Sequence, residues 1–251
     1  MHHAIIPWIG GKRRLAKHLL PIINGHNCYV EPFAGGASIF FMKEPSKVEV
    51  INDINSDVAN LYRVVKYHLD ELLRHFRWAL ISREEFLIQQ RVDPTTLTDI
   101  QRAARFYYLQ KMAFGGKVKS QTFGTAVTAP PKLNLLRIEE DLSQAHMRLA
   151  RCYIESLSWE KCFTKYDKEG VVIYMDPPYY GTEGYGVDFP LRNYDDMARM
   201  ATSARAKVVI SVNDIPEMRK AFDGLNIESI SINHTVCGAG GVPRKELIIT
   251  N

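Results

Sequence analysis

The stretch Val171-Val172-Ile173-Tyr174-Met175-Asp176-Pro177-Pro178-Tyr179 decides the fold class. Its apolar, partly β-branched start reads as a buried strand. Two consecutive prolines then remove two backbone donors and fix φ, so neither a helix nor a sheet ladder continues past Asp176. A rigid, exposed loop must follow. It brings together a carboxylate, a carbonyl and an aromatic ring at the carboxyl end of a strand, where open α/β sheets bind ligands. Such a loop suits a flat polar group.

Outward from this strand the chain alternates β and α patterns. Further strands are expected at Cys28 to Val30, Val48 to Asp53, Cys152 to Ile154, Lys207 to Val212, Asn226 to Ile232 and Glu246 to Thr250. With Val171 to Met175 these make seven, separated by helical periodicity as a doubly wound α/β sheet requires. The last two strands are joined by His234 to Arg244, which shows no helical pattern, so they are expected to pair antiparallel. Apolar positions from Val58 to Phe76 recur at three and four and predict one long amphipathic helix starting at Ser56. Ser82 with Glu85 and Thr98 with Gln101 read as capping boxes that start two more helices. A further helix is expected from about Leu133 to Ala150.

Between two of these helices lies Ala113 to Pro131, a long irregular segment of the kind that is usually functional. Lys117 and Lys119 alternate there with Phe114, Phe123, Ser120, Gln121 and Thr122. Lysines suit phosphate and amides suit base edges, so the composition fits a DNA-touching loop; a plain surface hairpin fits as well. Arg102, Arg105, Lys111, Lys117, Lys119, Lys132 and Arg137 follow one another without an acidic residue, and so do Lys12, Arg13, Arg14 and Lys17. In a chain of net charge +4 these two runs together suggest a surface that faces a polyanion, although either run alone reads equally as a solvated face.

The 251 residues, 46% apolar and 24% charged, fit one large globular domain, or one domain plus an insertion, rather than a disordered or fibrous chain. Four scattered cysteines form no Cys-x-x-Cys pair, which argues against structural zinc and for reduced thiols in a cytosolic protein. No apolar run reaches the roughly 20 residues of a membrane span, and no signal-peptide pattern opens the chain. No metal is expected.

Two glycine-rich turns precede the central strand. Gly10-Gly11-Lys12 enters a helix and can offer N–H groups and an ammonium to an anion, yet it is not a phosphate-binding P-loop. Taken alone, it reads better as a simple helix entry. Glu31-Pro32-Phe33-Ala34-Gly35-Gly36 follows a strand and lets backbone approach a ligand closely. Asp53 ends the next strand about 20 residues later, where an acid holds a ribose diol; a helix cap is the alternative use. A nicotinamide dehydrogenase would share both features, but the full G-x-G-x-x-G fingerprint is missing.

Taken in order, Trp8-Ile9-Gly10-Gly11-Lys12, Glu31 to Gly36, Asp53-Ile54-Asn55 and Asp176-Pro177-Pro178-Tyr179 resemble the Dam-like, D12 class of DNA adenine-N6 methyltransferases. The motifs cover nearly the whole chain. The resemblance implies a seven-stranded Rossmann-like methyltransferase sheet with a mainly helical DNA-recognition insertion. Residues 1–65 and 150–251 would form the cofactor-binding catalytic domain, and 66–149 the insertion. It implies S-adenosylmethionine as methyl donor and adenine in double-stranded DNA as acceptor, in a monomeric, cytoplasmic enzyme of bacterial or phage origin.

Motif by motif, the resemblance assigns Trp8, Gly10, Lys12, Glu31, Phe33, Gly35, Asp53 and Asp176 to the cofactor. Asp176, Pro177, Pro178 and Tyr179 would form the catalytic loop, with the Asp176 carboxylate and the Pro177 carbonyl accepting from the adenine amine and Tyr179 stacking on the base. Lys117, Lys119, Gln121, Arg244 and Lys245 would touch DNA, the last two from a loop beginning at Gly238. Ser156 and Leu157 fall near the expected adenine pocket. Tyr180 to Phe189 would close over the base.

The chain departs from the family pattern in its loop Gly115 to Gly124, which lacks the Arg- and Asn-rich hairpin of GATC-reading members. That leaves the target sequence open. Two rivals share these features: a non-catalytic DNA-binding protein on the same fold, and a cytosine-N4 methyltransferase. An intact Asp176 to Tyr179 loop speaks against the first, and aspartate at its first position against the second.

Overall fold

The computed structural model describes residues 3–125, 130–182, 188–234 and 242–251. Strand β4 (Val171–Met175) is buried along its whole length, because it lies at the centre of a seven-stranded sheet. It pairs in parallel with β1 (Cys28–Glu31) on one side and β5 (Lys207–Asn213) on the other. Beyond β1 come β2 (Val48–Asn52) and β3 (Cys152–Glu155), also parallel. Beyond β5 come β7 (Val242–Thr250) and then β6 (Asn226–His234), with β7 antiparallel to both neighbours.

The order β3-β2-β1-β4-β5-β7-β6 reverses direction between β1 and β4. At such a switch point the connections leave to opposite sides and open a crevice at the carboxyl ends of the two strands. Glu31 and Asp176 stand at that crevice.

Alternation along the strands feeds two cores. Tyr29, Ile51, Val172 and Tyr174 face one side, against α1 (Ala16–Ile23), α2 (Ser38–Met42) and α3 (Ser56–Tyr67). That core continues without a break into α4 (Leu69–Phe76), α5 (Arg83–Arg91), α6 (Asp99–Met112) and α7 (Ile138–Leu149). Val30, Val50, Ile173 and Met175 face the other side, against α8 (Trp159–Tyr166), α9 (Leu191–Thr202) and α10 (Pro216–Ala221).

Helix α7 is locked to the sheet by charge. Glu49 of β2 accepts from Arg148 of α7 at 2.8 Å and from Lys43 at 2.6 Å, all three being buried. Burial alone would raise the Glu49 carboxyl, but the two cations hold it below its ordinary value. The Arg148 guanidinium also lies 3.9 Å from the centre of the Phe40 ring and donates to the Phe40 carbonyl.

Some expectations change. The helix expected to run unbroken from Ser56 to Phe76 is two helices, broken at His68, whose φ of −137° and ψ of 41° leave the helical region. The His68 N–H closes α3 on the Val64 carbonyl, while its own carbonyl accepts from Leu72 and starts α4. Leu72 and Phe76 are thereby turned into the same core as α6 and α7, a demand that periodicity along one helix does not reveal. The helix expected at Leu133 begins only at Ile138. Thr98 and Gln101 form the reciprocal box, whereas Ser82 caps α5 and Glu85 turns to Gln89 instead. Arg244 and Lys245 do not end a loop: they lie within β7, opposite Ile232 and Ser231, because the β6–β7 hairpin extends further than the apolar run. Gly238, Gly240, Gly241 and Cys237 lie outside the described residues, while Cys28, Cys152 and Cys162 are free thiols.

Candidate active site

Asp176 leaves the end of β4 and is held from two sides. Its Oδ1 accepts from Lys12 Nζ at 2.6 Å and from Ser211 Oγ, on β5, at 3.1 Å. Ser211 is itself bonded to the Tyr174 hydroxyl at 2.8 Å. Lys12, only 4% exposed, also donates to the Gly10 carbonyl at 2.8 Å and sits 4.3 Å from the centre of the Tyr179 ring. Burial pushes the Asp176 carboxyl up to about 6, Lys12 opposes the rise, and Glu246 adds to it. The group is thus ionised at neutral pH but more basic than an ordinary aspartate.

The two prolines place their neighbours. The Tyr194 hydroxyl of α9 donates to the Pro178 carbonyl, and the Tyr179 hydroxyl donates to Glu246 of β7. Phe189 packs edge-on against Tyr194 at 5.0 Å and against Phe33 at 5.7 Å. Tyr180 lies 6.2 Å from Tyr194, also edge-on. Residues 183–187 of the expected closing loop lie outside the described residues.

The turn after β1 is built around Gly35. Its φ of 46° is left-handed, and a Cβ there would come within 2.7 Å of Trp8 Cε2, so only glycine fits beneath the indole. The Gly35 N–H donates to Asp53 Oδ2 at 2.8 Å, and its carbonyl accepts from the Tyr62 hydroxyl at 2.7 Å. Asp53 Oδ1 accepts from the Asn55 N–H at 2.8 Å, while Asn55 itself caps α3. Burial moves the Asp53 carboxyl up to about 6 against those two backbone bonds.

Between these turns lies a cavity of about 200 Å³. Trp8, Phe33, Gly35, Asp53, Trp159 and Asp176 line it. A smaller space of about 20 Å³ shares Trp8 and Asp176 and adds Lys12 and Glu31. Of the residues assigned to a cofactor from sequence, Trp8, Phe33, Gly35, Asp53 and Asp176 therefore line one cavity. Lys12 and Glu31 stand behind it, and Gly10 lines neither but fixes the Lys12 ammonium. Glu31 accepts from the Tyr29 hydroxyl at 2.7 Å. Burial carries its carboxyl up to about 8, with Asp176 adding to the rise.

Other residues of the site gave no signal in the sequence. Asn52, 1% exposed, donates to the carbonyls of Pro32 and Leu157 and accepts from the Leu157 N–H, so it ties the turns after β1 and β3 together. Its position just before Asp53 is the one available hint. Trp159 brings to the cavity wall a buried Nε1 without a protein partner. Ser156 and Leu157 do not line the cavity; Ser158, Trp159 and Glu160 do. No cluster of His, Cys, Asp and Glu among the described residues could hold a metal.

Of the residues assigned to DNA, Lys117 and Lys119 are exposed on the segment that follows α6, which the bridge Ala113 to Phe123 closes into a hairpin. Lys245 is exposed as well, on β7. Gln121 is tied inward: its side-chain amide donates to Gln110 Oε1 and to the Lys117 carbonyl.

The family model described as "D12 class N6 adenine-specific DNA methyltransferase" matches residues 8–236. Type II methyltransferase M1.LlaDCHI of Lactococcus lactis subsp. cremoris is 29% identical over 97% of this chain and 93% of its own length. DNA adenine methylase of Salmonella typhi is 27% identical over 97% of this chain and 92% of its own. Type II methyltransferase M.CviBI of Paramecium bursaria Chlorella virus NC1A is 23% identical over 88% and 86%. A solved structure of TrmN from Thermus thermophilus aligns with a TM-score of 0.43 at 12% identity, over 94% of this chain and about half of that one (47%).

Glu31 supplies a pH test of the buried site. Its carboxyl rises from 4.5 to about 8 on folding, so the native state binds this proton more tightly than the unfolded chain. The stabilisation is complete below the unfolded value and is lost as pH rises toward 8. Glu31→Gln should match wild type in denaturant melts near pH 4.5 and exceed it increasingly up to pH 8. A difference that stays flat with pH would contradict this burial of Glu31.

Proposed function

The chain belongs to the D12 class of N6 adenine-specific DNA methyltransferases, and from that premise we propose that its Asp176 loop holds a flipped adenine beside a cofactor seated in the Trp8–Asp53 cavity. The observation that carries this reading is the meeting of Asp176 with that cavity at the β1–β4 switch point. S-adenosylmethionine is the methyl donor of this chemistry, and the residues present fit it. A carboxylate offers about four acceptor positions, of which the Gly35 and Asn55 N–H groups take two at Asp53, so two remain for the ribose hydroxyls. Trp8, Phe33 and Trp159 supply apolar walls. When bound, the cofactor provides a methyl group activated by a positively charged sulfur.

The chain's own part is positioning. The adenine amine is a weak nucleophile because its lone pair is conjugated with the ring, so each N–H needs an acceptor that draws the nitrogen toward tetrahedral geometry. Lys12 and Ser211 fix Asp176 through Oδ1, which orients Oδ2 toward the amine. The Pro178 carbonyl is engaged by Tyr194, so the second acceptor is the Pro177 carbonyl. Tyr179, held at its hydroxyl by Glu246, offers its ring to the base. Accepting the methyl group would leave the amine nitrogen cationic, with one proton to give up. Asp176, basic to about 6, is well placed to take it and pass it to water. Fixed acceptors in a shielded site lower the barrier more than base strength alone.

A duplex buries the amine, so the base must leave the stack at a cost of a few kcal/mol, which stacking on Tyr179 partly offsets. Double-stranded DNA is therefore the acceptor we assign, with residues 66–149 as the recognition insertion and Lys117, Lys119, Arg244 and Lys245 on its phosphates. Gln121 contributes by shaping the hairpin. We assign a monomeric, cytoplasmic enzyme, as the sequence resemblance implies. Among the described residues no helix is long and apolar enough to cross a membrane.

Two measurements test this reading. In single-turnover transfer of tritiated methyl groups to DNA, Asp176→Asn should lose on the order of 10³-fold in rate while binding S-adenosylhomocysteine nearly as well as wild type. Transfer near the wild-type rate would remove Asp176 from catalysis. The double variant Lys117→Ala with Lys119→Ala should weaken DNA binding and flatten the slope of log affinity against log salt by roughly 1.8, about 0.9 for each phosphate that is no longer neutralised. An unchanged slope would take the hairpin away from DNA.

A further inference from the structure

The strap from Pro7 to Lys12 touches two regions of the molecule at once. On one side its Trp8 indole covers Gly35, and Lys12 reaches Asp176. On the other side it meets the end of α6 and the 113–124 hairpin. Gly116, buried with φ of +70°, lies so close that a Cβ would sit 3.1 Å from the Trp8 nitrogen. Gln110 of α6, 0% exposed, donates from Nε2 to the Pro7 carbonyl at 3.2 Å and accepts at Oε1 from Gln121. Gln121 also donates to the Lys117 carbonyl at 2.8 Å, and its own carbonyl accepts from Gln90 of α5 at 2.9 Å.

Burying an amide costs free energy unless both of its ends are bonded. Gln110 meets that condition only by joining α6 and the hairpin that follows it to the strap, 103 residues away in sequence. An apolar side chain of the same length would fill the space but take these bonds from the Pro7 carbonyl and the Gln121 amide, leaving the hairpin and the strap to meet only where Gly116 touches Trp8.

We infer that Gln110 is a positioning residue that couples the hairpin carrying Lys117 and Lys119 to the strap carrying Trp8 and Lys12, so that bound DNA changes cofactor affinity and bound cofactor changes DNA affinity by the same factor. The inference rests on the reading of the hairpin as DNA-facing and of Trp8 as a cofactor wall. Phosphate contacts at Lys117 and Lys119 displace the hairpin. The Gly116–Trp8 contact limits how closely the two can approach but makes no bond between them. The Gln110 amide keeps Pro7 in register with Gln121 as they move. Reciprocity then follows from linkage.

Calorimetric titration of the full chain with S-adenosylhomocysteine, with and without a randomised-sequence duplex, tests the coupling. For wild type the two affinities should differ on the order of 10-fold. Gln110→Met and Gln121→Met should each bring the ratio to within about 2-fold of one, while the DNA-free affinity stays within about 3-fold of wild type. In steady state these variants should shift the cofactor KM measured on DNA while kcat changes less. A wild-type ratio of one, or variants that keep the wild-type ratio, overturns the proposal. Should Gln110→Met fail to fold, the half-buried Gln121→Met decides alone. Failure of the underlying reading shows separately, as an unchanged salt slope in the Lys117 and Lys119 double variant.

Discussion

The ion pair between Lys12 and Asp176 holds the two ends of the site together. Lys12 comes from the first turn of the chain and Asp176 from the strand at the centre of the sheet, yet their charged atoms meet at 2.6 Å with Lys12 almost wholly buried. Buried charges require a partner and further hydrogen bonds, and here Gly10, Ser211 and the Tyr179 ring complete the set. The strap is consequently fixed over the β1–β4 crevice, and Trp8 is fixed over Gly35. Contacts of Pro7 and Trp8 hold the start of the strap, and among the described residues this pair alone ties its Lys12 end to the central strand.

Two carboxylates of the site share an electrostatic character. Asp53 and Asp176 are both moved up to about 6 by burial, while hydrogen-bond donors aimed at each keep them from rising further. Each is ionised at neutral pH, and each lies next to the space where a ligand's polar hydrogens would arrive. Glu31, carried further to about 8, sits behind them and is protonated near neutrality, which limits the negative charge gathered at the crevice. Burial is the leading cause for all three; the Lys12 charge opposes it at Asp176, whereas the Asp176 charge adds to it at Glu31.

The fold was legible because its signals are local. All seven strands, the antiparallel end of the sheet and the capped starts of α5 and α6 follow from apolar runs, prolines and caps read over fewer than ten residues. The motif residues that line the cavity were legible for a similar reason: glycines, prolines and acids at strand ends have few other uses. What escaped depends on contacts across the chain. Asn52 acts through Leu157, 105 residues away, and Glu246 through Tyr179, 67 residues away. Gln121 looked like a base-reading amide from composition, but Gln110 holds it inward. The break at His68 reflects where α6 and α7 lie, which no pattern within α3 or α4 encodes.

The central claim is that cofactor and adenine meet in the cavity between Trp8, Asp53 and Asp176. A crystal structure of the protein soaked with S-adenosylhomocysteine tests it most directly. The ligand should lie in that cavity with its ribose hydroxyls on Asp53 and its sulfur toward Asp176 and Pro177. A ligand seated elsewhere, for instance in the groove lined by Trp78, Leu80 and Tyr108 among α4, α5 and α6, would contradict it.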